Sequence, residues 1–254
     1  MNTLPIVFFR VRGRYAHFRR PYTNVSSLSY PFPPRPTIAG LLGAILGIQK
    51  DKVAETFNER KLKVAVAIEK QHKTVTHVTN FRQGGMGIAY AIKKPKKETK
   101  KKEDIGVLDF NKATQIPMEL LRNPSFLIYV HLDDNSMFPE LISRLRTNRF
   151  VYTPCLGLSE FLAGVEYVND GNAIELETGE HEVKSVIAKD DCILIKDKLK
   201  AEKHQVQELK APHSGSATRE FTYKKYLVNM MPDPLPVEMR VNAYRLDNTV
   251  ISFL

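Results

Sequence analysis

The first fifty residues of this 254-residue chain contain no Asp or Glu, yet they carry Arg10, Arg12, Arg14, Arg19, Arg20, Arg35 and Lys50. Aromatic residues are threaded among them: Phe8, Phe9, Tyr15, Phe18, Tyr22, Tyr30 and Phe32. A solvated surface ordinarily mixes both charge signs, so a one-signed field of arginines points to an anionic partner. Arginine offers a fork of donors to phosphate and a flat face to a base, which makes nucleic acid the leading partner class. An acidic protein surface or an anionic membrane would answer the same charge. Arg12, Arg14, Arg19 and Arg20 are the main phosphate candidates, with Arg35 beside them. Tyr15, Phe18, Tyr22 and Tyr30 are the stacking candidates, Phe18 and Phe32 being the aromatics most readily given over to a core. His17 could donate to a phosphate or a 2′-hydroxyl.

Catalysis is the rival chemistry. Metal-independent RNA cleavage needs a base for the 2′-hydroxyl and an acid or cation near the leaving oxygen. Tyr15, His17, His72, Lys73 and His77 are suitable types, but no spacing among them specifies a reaction, so the chain reads as a non-enzyme. Asp133-Asp134 suits a helix cap, and Cys155 and Cys192 have no paired ligand pattern. No metal or cofactor is therefore expected. Neither a phosphate-cradling glycine motif nor a nucleophile elbow is present, since Gly157-Leu158-Ser159 lacks the required pattern.

The elements that would position these residues follow from hydrophobic period. At 43% apolar and 26% charged residues, the composition suits a soluble globular protein. Two cysteines suit a reducing cytoplasm, and the apolar run 38–48 is too short to span a bilayer. Residues 5–13 read as a strand with Arg10 and Arg12 on one face, followed by a proline-rich connection. Thr37 is the expected N-cap of a helix to about residue 46 or 47. Its Gly40, Gly43 and Gly47 fall on one face and suggest close packing on a sheet.

Residues 61–69 and 72–81 read as strands, the second leading into Arg82-Gln83 and a glycine-rich tip. A run with seven lysines in ten residues, 93–102, follows. It is either a solvated loop or a source of non-specific phosphate attraction. A strand at 126–132, a helix at 138–145 and an extended piece at 150–152 complete the series strand, helix, strand, strand, helix, strand. That is the order of an α+β, ferredoxin-like (RRM-like) domain, with helices on one sheet face and the other open to ligands. The arm would occupy about residues 70–123 of a first domain, 1–155. Short extended segments at 161–168, 183–188, 192–195, 220–227 and 237–246 suggest a smaller β-rich domain, 156–254.

Several segments carry a family resemblance. They are Val11-Arg12-Gly13 with Ala16-His17-Phe18-Arg19, the stretch from Ser29-Tyr30-Pro31-Phe32 to Thr37, and Gly40-Leu41-Leu42-Gly43 to Gly47. With Arg82-Gln83, Asn123-Pro124-Ser125-Phe126 and Tyr152-Thr153-Pro154-Cys155 to Glu160, they resemble the fifth-numbered CRISPR-associated subunit of type I interference complexes. The resemblance spans roughly residues 4–165. It implies a RAMP-superfamily domain of a Cascade antiviral complex, holding the 5′ handle of CRISPR RNA (crRNA) against a backbone subunit and the large subunit. The arm would be a thumb locking over the guide, and Gly40 would border the handle pocket. Target DNA is a further possible contact of the lysine run. One branch of that family cuts precursor RNA with a tyrosine, a lysine and a histidine, which keeps Tyr15, His17, His72 and Lys73 as an alternative catalytic set. A purely structural, protein-binding subunit is the third reading.

Overall fold

The computed structural model describes residues 2–21, 26–82, 113–201, 204–216, 218 and 220–254. Tyr22, Gln83, the glycine tip and the lysine run lie outside them.

β1 (Thr3–Arg12) is a central strand, and Ile6, Val7, Phe9 and Val11 are buried along it. The chain then forms β2 (Tyr15–Ala16), α1 (Arg35–Leu46), the single turn α2 (Val53–Thr56), β3 (Leu62–Ile68) and β4 (Lys73–Arg82). After the undescribed stretch come β5 (Ala113–Arg122), β6 (Ser125–Leu132) and α3 (Met137–Thr147). The C-terminal part holds β7 (Gly164–Leu176), β8 (Gly179–Val183), β9 (Ile187–Ala188), β10 (Cys192–Leu194) and α4 (Lys196–Ala201). It ends with β11 (Val206–Gly215), β12 (Phe221–Asn229), β13 (Leu235–Met239), β14 (Ala243–Leu246) and β15 (Thr249–Ile251). No helix among the described residues is long and apolar enough to cross a membrane.

Among the described residues, one sheet of nine strands organises the fold, in the order β10-β13-β8-β15-β14-β7-β1-β6-β3. β1 lies antiparallel between β6 (Val7↔Val130, Phe9↔Ile128) and β7 (Val11↔Val165). The fourth strand beside β1 is thus β7, not the expected 150–152. That segment instead straps the end of α1, where the Val151 and Tyr152 amides donate to the Ile45 and Ala44 carbonyls at 3.3 and 2.9 Å. It supplies partners that the last turn of a helix lacks. Because β7 begins past residue 155, the expected domain boundary is no break in the sheet.

Phe9, Val11, Val64, Val66, Phe126 and Ile128 face α1 and α3, which bury Leu42, Ile45, Leu141 and Leu145 against them. The face expected to be open is not. Ile6, Ala65, Ala67 and Tyr129 cluster there beneath Leu246, Ile251 and Phe253. The sheet curls until the C-terminal part reaches its far edge, where the Val186 and Leu254 amides donate to the Val66 and Val64 carbonyls of β3 at 2.7 and 2.8 Å. Covering an edge in this way removes a template for unwanted strand pairing.

The start of α1 also differs from expectation. Its N-cap is Pro34, whose carbonyl accepts the Thr37 and Ile38 amides, and Pro36 occupies the first turn, where a missing N–H costs nothing. Nor do the three glycines pack on a sheet. A Cβ on Gly43 would meet Val53 of α2 at 2.9 Å, and Gly47 is the left-handed C-cap at φ 82°. A Cβ on Gly40 would meet nothing within 4 Å. At α3 the expected acidic cap is present: the Asp134 carboxylate accepts the Ser136 and Met137 amides at 2.9 and 2.8 Å.

Candidate nucleic-acid interface

With the open sheet face gone, the basic residues converge elsewhere, at the base of a second small sheet ordered β2-β5-β4. β4 and β5 pair antiparallel from Lys73↔Arg122 to Arg82↔Ala113, and β2 joins β5 through Tyr15↔Arg122. Tyr15, Arg122 and Lys73 therefore form one cross-strand row. Directly opposite residues stand with Cβ atoms about 4.5–5.5 Å apart. Arg14 adds a fourth member, its guanidinium 5.8 Å from the Tyr15 ring centroid. Arg14, Arg122, Lys73 and the nearby Arg19 are all exposed, and none makes an ion pair among the described residues.

Backbone locks hold this row. The Asn123 amide donates to the Arg14 carbonyl at 2.9 Å, with Asn123 itself left-handed at φ 50°. The His17 amide donates to the Leu156 carbonyl, and Gly157 at φ 94° lets the chain pass so close that a Cβ there would sit 1.9 Å from the His17 oxygen. Only glycine fits that position without movement. The His17 ring ties the same loop to the arm. Its Nδ1 lies 2.8 Å from the Glu119 carbonyl and its Nε2 2.9 Å from the Ser27 hydroxyl. A carbonyl only accepts, so Nδ1 carries the hydrogen and Nε2 takes one from Ser27. Burial, and after it the charge of Arg19, lowers the His17 pKa and keeps the ring neutral.

The arginines of the acid-free stretch divide into four groups. Arg10 donates to Glu69 through Nε and Nη2 at 2.6–2.8 Å and lies 3.1 Å from Glu166. These bonds hold the Glu69 carboxyl below its ordinary value although burial acts the other way, and Ser125 adds a hydroxyl donor. Arg12, 66% exposed, stands 3.7 Å from Glu166. Arg35, only 3% exposed, is not a surface donor at all: its Nη2 reaches the carbonyls of Asn58 and Leu62 at 2.9 Å. Arg14 and Arg19 remain, while Arg20 is half-buried, donating to the Ser29 carbonyl and lying over Tyr30.

The aromatics are sorted the same way. Tyr30 is 2% exposed and donates its hydroxyl to the Lys210 carbonyl, so it is a core residue and not a stacking platform. Phe18 and Phe32 are buried. Tyr15 is half-buried, tilted against Phe161. His17 is likewise a tie and not a surface donor. Of the alternative catalytic set, Tyr15 and Lys73 share the outer row while His17 and His72 are buried. Gly40 stands apart from the row, lining cavities beside α2. Arg82 closes the β4–β5 pairing at Ala113. Sequence reasoning missed Arg122; its place beside the Asn123-Pro124 turn was the available signal. Among the described residues no group of three or more His, Cys, Asp or Glu could hold a metal ion.

The sequence model of a family described as CRISPR-associated protein (Cas_Cas5) matches residues 6–242. Among solved structures, a CRISPR protein from Archaeoglobus fulgidus is similar at 13% identity and TM-score 0.53, with 98% of each chain covered. A chain of a CRISPR RNA-guided surveillance complex is similar at 13% identity and TM-score 0.51, with 91% of each covered. At that identity both likenesses concern the fold. Among curated proteins, none matches this sequence.

Proposed function

The chain belongs to the CRISPR-associated Cas5 family, and on that premise we propose that it is a non-catalytic, RNA-binding subunit of a type I CRISPR effector complex. In this reading it holds the 5′ handle of crRNA, beside backbone and large subunits. The strands β7, β1, β6 and β3 with α1 and α3 are read as a ferredoxin-like RAMP domain, and β4–β5 as its thumb. The observation that carries the proposal is the row of Tyr15, Arg122 and Lys73 with Arg14 beside the Tyr15 ring, and with Arg19 next to His17 on the same loop. It presents several unpaired cations and one flat ring at the base of the arm, the combination that single-stranded RNA needs for phosphate contact and stacking.

Nuclease protection in the assembled complex tests the handle assignment. With the wild-type chain, the 5′ end of the crRNA should resist added single-strand nuclease. Replacing Arg14, Arg19, Lys73 and Arg122 by Gln together should expose that end while the spacer stays protected. Unchanged protection of the 5′ end would contradict the proposal.

A further inference from the structure

Apart from the outer row, a cavity of about 890 Å³ opens between the first turns of α1, the short α2 and the end of β11. Clefts that accept a ligand span about 300–1,000 Å³ and are mostly apolar, with a few placed polar groups. This one fits that description. Pro36, Ala39, Gly40, Val53, Ala54 and Phe221 supply apolar lining, and Phe221 stays 40% exposed. A Cβ on Gly40 would meet nothing within 4 Å, so the helix is bare at that point.

The placed polar group is Arg35, which lines the cavity at 3% exposure. Its Nη2 is taken by the carbonyls of Phe57, Asn58 and Leu62. The remaining donors, on Nε and Nη1, have no partner among the described residues, and Arg35 makes no ion pair there. Nor are these nitrogens sealed away. Among the described residues, the buried side-chain atoms that lack a partner are the two His72 nitrogens alone. The free donors of Arg35 therefore keep contact with open space, and the cavity is the space that Arg35 lines. A guanidinium stays charged, and burying one is costly unless a counter-charge meets it. The field of Glu59 acts on Arg35, but its carboxylate pairs at 3.5 Å with His213.

An occupant must then bring both negative charge and apolar surface. An RNA backbone repeats its charge at every nucleotide and would meet the exposed Asp51 and Glu59 in the lining. Those two acids offset Lys50 and Arg60, which leaves Arg35 as the one uncompensated charge of the lining. A polypeptide segment with a single carboxylate among apolar side chains satisfies both demands.

We propose that this cavity docks a segment of a neighbouring protein subunit, with one Asp or Glu carboxylate on Arg35 and apolar side chains against Pro36, Ala39, Val53 and Phe221. The inference rests on the reading of the chain as an effector-complex subunit and assigns a protein contact apart from the RNA row.

The test begins with the assembled complex, purified with the photoreactive residue p-benzoylphenylalanine in place of Gly40, where the added ring has open space. Irradiation should join this chain to one other protein subunit, at a segment where Asp or Glu stands among apolar residues. Changing that acid to Asn or Gln should weaken the pairwise affinity of the two purified subunits about tenfold. The same change should cost little further when the partner chain is Arg35→Gln, because the two groups act as a pair. Gly40→Trp, which fills the cavity, should also lose about tenfold while melting at the wild-type temperature, and so separates a blocked site from a damaged fold. Overturning results are a cross-linked product that ribonuclease removes, no protein cross-link in an assembled complex, or Gly40→Trp binding its partner like the wild type. A chain that assembles with no other subunit would overturn the effector-subunit reading as well. Loss of the 5′-end protection described above touches the RNA reading alone, so the failures are distinguishable.

Discussion

Two arginines four residues apart have opposite fates. Arg10 lies on β1 and donates to Glu69, which also accepts from the Ser125 hydroxyl, and pairs with Glu166 in one network. Arg14, one turn of chain beyond the strand, has an aromatic ring beneath it and no acidic partner among the described residues. Both come from the same acid-free stretch, so sequence charge alone does not separate them. The fold does, by bringing Glu69 and Glu166 from distant parts of the chain to one side of the β1 end and leaving Tyr15, Arg122 and Lys73 without an acidic partner among the described residues. An arginine already satisfied within the chain would have to break strong bonds to take a phosphate, whereas an unpaired one gives up only water.

The sharpest way to break this contrast is to remove the turn that positions the outer loop. Gly157→Ala would place a Cβ on the His17 carbonyl in a backbone region that side chains rarely adopt. Loss of about 3 kcal/mol or more of stability, or failure to fold, is expected in a denaturant titration. A Gly157→Ala chain of wild-type stability would show that the His17 lock is not as tight as described.

Next in size is Arg10→Ala, which strands a half-buried Glu69 with Ser125 as its remaining side-chain donor. A cost of about 2 kcal/mol is expected, with RNA affinity unchanged once folding is allowed for. Arg14→Ala should do the reverse, leaving stability within about 0.5 kcal/mol while weakening RNA binding. Paired urea titrations and binding curves for the two variants compare them directly.

A different lever is pH. His213 is buried between the Tyr226 hydroxyl at 2.9 Å and Glu59 at 3.5 Å, and burial above all pushes its pKa down to about 4. The unfolded chain therefore binds a proton that the folded chain refuses between about pH 6.5 and 4. Stability should fall as pH drops through that window, and His213→Gln should flatten the decline. Thermal melts at several pH values measure it; an unaltered slope in the variant would assign the decline to His17 and His72, whose pKa values are also lowered.

What was legible in the sequence follows from how local each signal is. β1, β3, β6 and α3 stand near their expected positions because apolar period is a local property. β11 was not foreseen, since Gln207, Glu208, Lys210, Pro212 and Ser214 give it no apolar alternation, and β15 is only three residues long. The 150–152 segment has strand-like residues but is claimed by the open carbonyls of α1, a tertiary demand. Arg35 was misread because its partners are main-chain carbonyls, which leave no trace in residue type. Arg122 becomes visible only when β5 pairs with both β2 and β4.

The central claim is that the unpaired row, and not the acid-free stretch as a whole, meets the RNA backbone. Its most direct measurement is the salt dependence of RNA affinity for the wild type, for Arg14, Arg19, Lys73 and Arg122 replaced together by Gln, and for Arg10→Gln. Each phosphate contact on a single strand contributes about 0.7 to the slope of log affinity against log salt. The fourfold variant should lose about 3 from that slope, and Arg10→Gln should keep the wild-type value. A fourfold variant with the wild-type slope, or an Arg10→Gln chain that loses slope in its place, would contradict the account.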